Sequence, residues 1–188
     1  MINDSNFPTL LAAAVAGDDD AMAVIFRSLH PRLRRFLHAN EPRVADDLCG
    51  EVWMAVARGL ASFDGDAVAF RSWVFSIARN RLADHRRQSM RRNTVPASPD
   101  DFVDLTSSTA GPDALVIDAM SGADAASMIV ALLPADQAEV VLLRVLGELD
   151  VAEVASIMGR DANWVRVTQH RALRKLADRL GSKIDVMR

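Results

Sequence analysis

Residues 93–113 divide this chain. They run Asn93-Thr-Val-Pro-Ala-Ser-Pro-Asp-Asp-Phe-Val-Asp-Leu-Thr-Ser-Ser-Thr-Ala-Gly-Pro-Asp113, dense in Pro, Ser, Thr and Asp and without a sustained apolar period. So long a structureless loop is uncommon inside one compact domain, so the stretch reads as a linker, partly extended, between two units. The whole chain has 188 residues, so each unit is small and its core modest.

On either side the apolar spacing is helical, and no alternating run of β-branched residues suggests a sheet. Residues 7–16 form a first helix closed by Gly17. Asp18, Asp19 and Asp20 then supply an N-cap and first-turn acids for a helix running toward Phe36, with a kink expected at Pro31. Residues 43–61 place Ala45, Leu48, Val52, Val56 and Leu60 on one stripe, with Asp46, Asp47 and Glu51 off it. Residues 68–90 point Trp73, Ile77 and Leu82 inward. Beyond the linker, helices are expected over 114–133 (broken near Gly122), 134–146, 151–158 and 162–180. The predicted fold is all-α, two small helical domains over 1–92 and 114–188 joined by a flexible linker.

The formal net charge of −3 argues against nucleic acid, but its distribution argues the other way. Residues 79–92 carry Arg79, Arg81, Arg86, Arg87, Arg91 and Arg92 against Asp84 alone. Residues 160–179 carry Arg160, Arg166, Arg171, Arg174, Lys175 and Arg179 against Asp161 and Asp178. Each unit therefore ends in one basic helix, and two such helices on a linker can grip one polyanion at two points.

The second unit reads as helix, tight turn, helix. Ala155 is small where two helices must cross, Gly159 supplies the turn, and Val165 pins the second helix on the first. That trio also fits an ordinary helical hairpin, and the basic second helix favours DNA binding. Asn163, Arg166, Val167, Gln169, His170 and Arg174 then face outward, with Arg and Gln suited to base edges and His and Arg to the backbone. In the first unit, residues 70–87 interleave aromatics, Arg and Asn. This suits unpaired bases and phosphates, although Trp73, Phe75 and Ile77 also read as core.

Other chemistries find no support. There is no phosphate-cradling glycine loop, no metal-ligand spacing and no defensible nucleophilic triad, so neither an enzyme, a cofactor nor a metal is expected. Cys49 is the single cysteine, which excludes an internal disulfide framework and suits a reducing cytosol. It reads as a small core residue rather than a redox sensor. Residues 1–10 lack a positively charged leader and the apolar run 10–16 is far too short to span a bilayer, so a soluble, cytoplasmic protein with no membrane contact is expected.

Together these segments resemble an RNA polymerase sigma factor of the extracytoplasmic-function type, group four of the sigma-70 family. Val44-Ala-Asp-Asp-Leu-Cys-Gly-Glu-Val-Trp53 resembles region 2.2 and Phe70-Arg-Ser-Trp73 region 2.3. Residues 77–87, Ile-Ala-Arg-Asn-Arg-Leu-Ala-Asp-His-Arg-Arg, resemble region 2.4. Leu133-Pro-Ala-Asp-Gln-Ala-Glu-Val-Val-Leu-Leu-Arg144 resembles region 4.1, and the helix-turn-helix region 4.2. Each is degenerate alone; their order and spacing are specific.

The resemblance implies that residues 1–92 bind core polymerase and read and melt the −10 element, and that residues 114–188 read the −35 element. Asp46, Asp47, Leu48, Glu51 and Val52 would meet the β′ clamp helices, and the second domain would meet the β flap. Phe70, Arg71, Trp73, Arg79, Asn80, Asp84 and Arg87 would meet the −10 strand. Asn80 and the loop from Phe63 to Phe70 would form the pocket for a flipped base, with Trp73 beneath it. Arg160, Asn163, Trp164, Arg166, Val167, Gln169, His170, Arg171 and Arg174 would meet the −35 duplex. Asp100, Asp101 and Asp104 of the linker would mimic nucleic-acid charge near the polymerase cleft. An anti-sigma factor is a further partner that the family implies.

Two departures stand out. Gly50 precedes Glu51 where the family often has Gln, and the recognition helix carries Asn163-Trp-Val-Arg-Val-Thr-Gln-His170 in place of the common Thr-Val-Lys-Ser pattern. The alternative reading is a stand-alone helix-turn-helix repressor acting as a homodimer, which would bind duplex without polymerase.

Overall fold

Asp18 begins the longest early helix as the sequence leads one to expect. Its carboxylate accepts from the backbone N–H groups of Asp20 at 2.9 Å and Ala21 at 3.1 Å. The computed structural model describes residues 5–94 and 122–186. Helix α1 spans Phe7–Val15, α2 Asp19–Asn40 and α3 Ala45–Gly59, followed by one 3-10 turn at Leu60–Ser62, and α4 spans Ala67–Thr94. After the undescribed segment come α5 (Gly122–Leu132), α6 (Ala135–Leu146), α7 (Val151–Met158) and α8 (Ala162–Val186). No strand occurs among the described residues, so the fold is all-α with two domains.

Pro31 does not end α2. The helix continues through it because Ile25, Leu29, Leu33, Phe36 and Leu37 form one buried stripe on both sides of the proline. At the other expected boundary, Asn93 and Thr94 belong to α4 rather than to the linker. Residues 95–121 lie outside the described residues. With them lie most of the expected linker, its Asp100, Asp101 and Asp104, and the first part, 114–121, of the helix expected over 114–133.

Local chemistry sets the second domain's joints. Asp150 and Glu153 form a capping box at α7: the Glu153 N–H donates to Asp150 at 2.8 Å and the Asp150 N–H donates to Glu153 at 2.6 Å. Gly159 closes α7 at φ 62°, a left-handed conformation that an L side chain rarely adopts. Asp161 then caps α8, accepting from the Trp164 N–H at 2.8 Å.

The two domains on either side of the linker pack together. Helices α5 and α6 rest on α2, and α7 rests on α4. One buried cluster runs from Phe7, Leu33 and Phe36 through Val74 and Phe75 to Val140, Leu143, Val154 and Val165. The apolar sides of the two small domains are each too wide to be covered from within, so they cover one another.

Candidate nucleic-acid interface

Helix α8 has a buried and an exposed face, with Val167 and Leu173 among the polar residues of the exposed one. Val165, Thr168 and Ala172 are buried, whereas Asn163, Arg166, Val167, His170, Arg171 and Arg174 are exposed. Val165 joins Val154, Ala155 and Met158 of α7 in one cluster and Ala172 joins Ala138 and Val141 of α6 in another, so the predicted helix-turn-helix trio of Ala155, Gly159 and Val165 is in place. Trp164 is half-buried against the core, and the Arg160 guanidinium stands 5.4 Å from its ring centroid. Gln169 is half-buried, and its side-chain oxygen accepts from Nε of Arg144 at 3.3 Å. Arg144 also donates to the Leu149 carbonyl in the turn before α7. Sequence reasoning missed Arg144 as a positioning residue, because its two partners lie on a later helix and in a turn outside its own helix.

In the first domain, the aromatic residues before and within α4 form a nested set. Phe63 stacks on Trp73 with centroids 5.1 Å apart, and Phe70 meets Phe63 edge-on at 5.3 Å. Phe70 has no exposed surface, so it supports Phe63 and Trp73 from inside and cannot itself touch DNA, contrary to expectation. Trp73 and Ile77 are half-buried, and Val74, Phe75 and Leu82 fill the core positions. Asn80 is exposed.

Four of the arginines expected on phosphate are already engaged. Arg81 pairs with Glu51 at 3.8 Å, Arg86 with Glu41 at 3.0 Å, and Arg87 with Asp84 one turn away. Arg79 donates to Glu139 of α6 at 2.9 Å and to the Ile157 carbonyl of α7 at 3.2 Å. Burial pushes the Glu139 carboxyl above its ordinary range, and the facing Arg79 opposes that shift. Arg71 keeps a buried Nε without a hydrogen-bond partner, and its charge acts on Glu153 of α7.

Helix α3 carries the expected polymerase-facing residues, but not all of them face outward. Asp46, Asp47 and Glu51 are exposed, whereas Leu48 is 4% exposed and Val52 not at all. The latter two belong to the stripe that packs α3 on the core and cannot meet a partner directly. Met54, 58% exposed, and Arg58 extend the outward face, and with Glu51 and Arg81 they line a shallow depression. The signal was legible, since residues 47, 51, 54 and 58 recur at helical spacing opposite the apolar stripe. Arg34 of α2 hydrogen-bonds Asp46 at 2.8 Å and holds its carboxyl below the usual range. Behind this face Trp53 donates to Nδ1 of His30 at 3.2 Å. Burial first, then the Arg34 charge, lowers the His30 pKa, which keeps that ring neutral and able to accept.

Known proteins match this arrangement. Residues 25–92 match the family model for sigma-70 region 2 and residues 123–176 the model for sigma-70 region 4. The chain is 32% identical over 177 residues to the extracytoplasmic-function sigma factor SigD of Mycobacterium tuberculosis, covering 91% of this chain and 82% of that one. It is 31% identical over 175 residues to ShbA of Streptomyces griseus, another sigma factor of that type, covering 89% and 91%. In fold it resembles the sigma factor RpoE of Bartonella quintana, solved with the anti-sigma factor NepR. That likeness has a TM-score of 0.62 at 20% identity and covers 85% of this chain and 96% of that one. The paired region matches set aside the stand-alone repressor reading. Sigma factors are non-enzymatic transcription regulators. The chain belongs to the extracytoplasmic-function sigma factors of the sigma-70 family, which bind core RNA polymerase and direct promoter-specific initiation.

Proposed function

We propose that three separate faces of this chain divide the work of initiation. The outward face of α3, with Asp47, Glu51, Met54 and Arg58, meets the β′ clamp helices of core polymerase, and Asp46 contributes through its pair with Arg34. Asn80, Trp73, Arg71 and Arg79, with the Phe63 loop, take the −10 strand, and Phe70 acts only as their support. Asn163, Arg166, Val167, His170, Arg171 and Arg174 take the −35 duplex, with Gln169 oriented by Arg144 and Trp164 fixing the helix beneath Arg160. The second domain also meets the β flap. The observation that carries this reading is the division of α8, where polar and basic side chains are exposed along the length a major groove would cover, while Val165, Thr168 and Ala172 between them are buried and only Val167 and Leu173 of the larger apolar residues there are exposed.

An anti-sigma factor covering the polymerase-binding faces is a fitting regulatory partner, as the RpoE–NepR complex illustrates for that protein. The chain performs no chemistry of its own and works in the cytoplasm; among the described residues no helix is long and apolar enough to cross a membrane. The test is run-off transcription from a promoter library with core polymerase, with and without this protein. Start-site-specific transcripts that need both, and are lost with Asn80→Ala or Arg166→Ala, support the assignment. Transcripts unaffected by either substitution overturn it.

A further inference from the structure

The outward side of α8 holds, amid its polar residues, a side chain that can make no hydrogen bond. Val167 is 38% exposed in the second turn of the helix, which begins at Ala162. Asn163 stands one turn before it, His170 and Arg171 one turn after and Arg174 two turns after, all exposed on the same side. Val167 is therefore central to the polar face and not a stray at its margin. Leu173, also exposed, lies six positions on, about 240° further round the axis, toward the side of Gln169. The helix beneath Val167 is fixed. Val165 and Thr168 beside it are buried, and the Asp161 carboxylate caps the first turn. A β-branched side chain in a helix keeps one χ1 rotamer almost throughout, so the two methyl groups of Val167 are presented at one place.

A major groove offers such a surface one matching group. Every base edge there carries hydrogen-bonding atoms, and thymine alone adds a methyl group, at C5. Against Val167, the amino group of cytosine or adenine and the acceptors of guanine would lose water and gain no partner. We propose that Val167 is a specificity-determining residue that packs on the C5 methyl group of one thymine in the −35 element. The proposal rests on the assignment of α8 to the −35 duplex and names a base that this assignment leaves open. The surrounding Asn and Arg side chains supply affinity through phosphates and neighbouring base edges, whereas Val167 discriminates by leaving a wrong base unpaired.

The test uses holoenzyme assembled from core polymerase and the full chain, on a promoter obtained from the run-off library and read by promoter competition. Deoxyuridine replaces each −35 thymidine in turn, which removes the methyl group and nothing else. At one position the unaltered protein is expected to lose about threefold to fivefold, the scale of one buried methyl-sized group. V167A should show no loss on that same replacement while still transcribing from the promoter. Cytosine in place of that thymine should cost more, and cytosine methylated at C5 should recover part of the loss. Absence of any uridine-sensitive position, a loss that persists unchanged in V167A, or a −35 element built of G·C pairs alone overturns the proposal. Scrambling the whole −35 element separates the two levels. If scrambling costs nothing, the −35 assignment fails and the proposal falls with it. If scrambling abolishes transcription while uridine costs nothing, the assignment stands and the thymine contact alone is overturned.

Discussion

Gly59 and Trp73 are in contact so close that neither can change alone. A β-carbon built on Gly59 would stand 2.8 Å from Cζ2 of the indole, and Trp73 is held on its other side by the stack with Phe63. The end of α3 and the start of α4 are thereby locked at one spacing, which links the helix proposed to face polymerase to the aromatic set beneath the proposed −10 pocket.

Gly59→Ala is therefore expected to destabilise the protein despite its better helix propensity. Overpacking costs about 1–3 kcal/mol and the propensity gain offsets about 1 kcal/mol, leaving a net loss of roughly 1 kcal/mol. Urea denaturation measures it, and a shift in tryptophan emission shows that the indole has moved. A gain in stability would mean that Trp73 swings freely.

Gly50 gives the opposite expectation. It lies in the interior of α3, exposed, and a β-carbon placed on it would meet nothing within 4 Å. Gly50→Ala should raise stability by about 0.5–1 kcal/mol through backbone entropy alone. A higher urea midpoint at unchanged slope is the signature. Its presence in this sequence is a local weakness of α3, with no packing need behind it.

Cys49 is expected to be unreactive. Burial pushes its thiol from 9.0 up to about 11, with Asp46 adding to the shift and Arg34 opposing it. At pH 8 the folded protein then holds about a hundredfold less thiolate than the unfolded chain. Iodoacetamide should label it slowly until denaturant is added. Since the folded state binds this proton more tightly, its contribution to stability is complete below pH 9 and is lost as pH rises through about 11. Rapid labelling of the native protein at neutral pH would contradict the buried position.

Arg144→Met should weaken −35 binding without touching DNA itself. The substitution keeps the apolar stem but frees Gln169 and leaves the Leu149 carbonyl without this donor. Hydrogen bonds from a charged donor contribute about 1.5–3 kcal/mol, so a loss of roughly tenfold or more in transcription from a −35-dependent promoter is expected. A promoter read through its −10 element alone should respond less.

The helices and the helix-turn-helix were legible because their signals are local. Asp18, Gly17 and Gly159 act within a few residues of themselves, and the stripe of α3 has one clear buried side. Helix α4 was harder. It is flanked by α2, α3 and α7 together, so its apolar residues occupy several sides, and nothing in the spacing tells that Phe70 is interior while Trp73 is only half-buried. The fate of Arg79 was not legible at all. Its partner lies beyond the linker, and a basic helix read only as a run of charges looks the same whether those charges meet phosphate or a distant carboxylate.

The seating of Phe7 extends the working unit beyond its signature. The recognisable region 2 segment begins at residue 25, yet Phe7 of α1 has no exposed surface and its ring lies 5.1 Å from that of Phe70 and 6.4 Å from that of Phe63. A domain trimmed to the recognisable segment would lose the floor on which the aromatics proposed to read the −10 strand stand. Evolutionary bookmarks and mechanical foundations thus end at different places in this chain, and a minimal DNA-melting fragment has to be cut by the second.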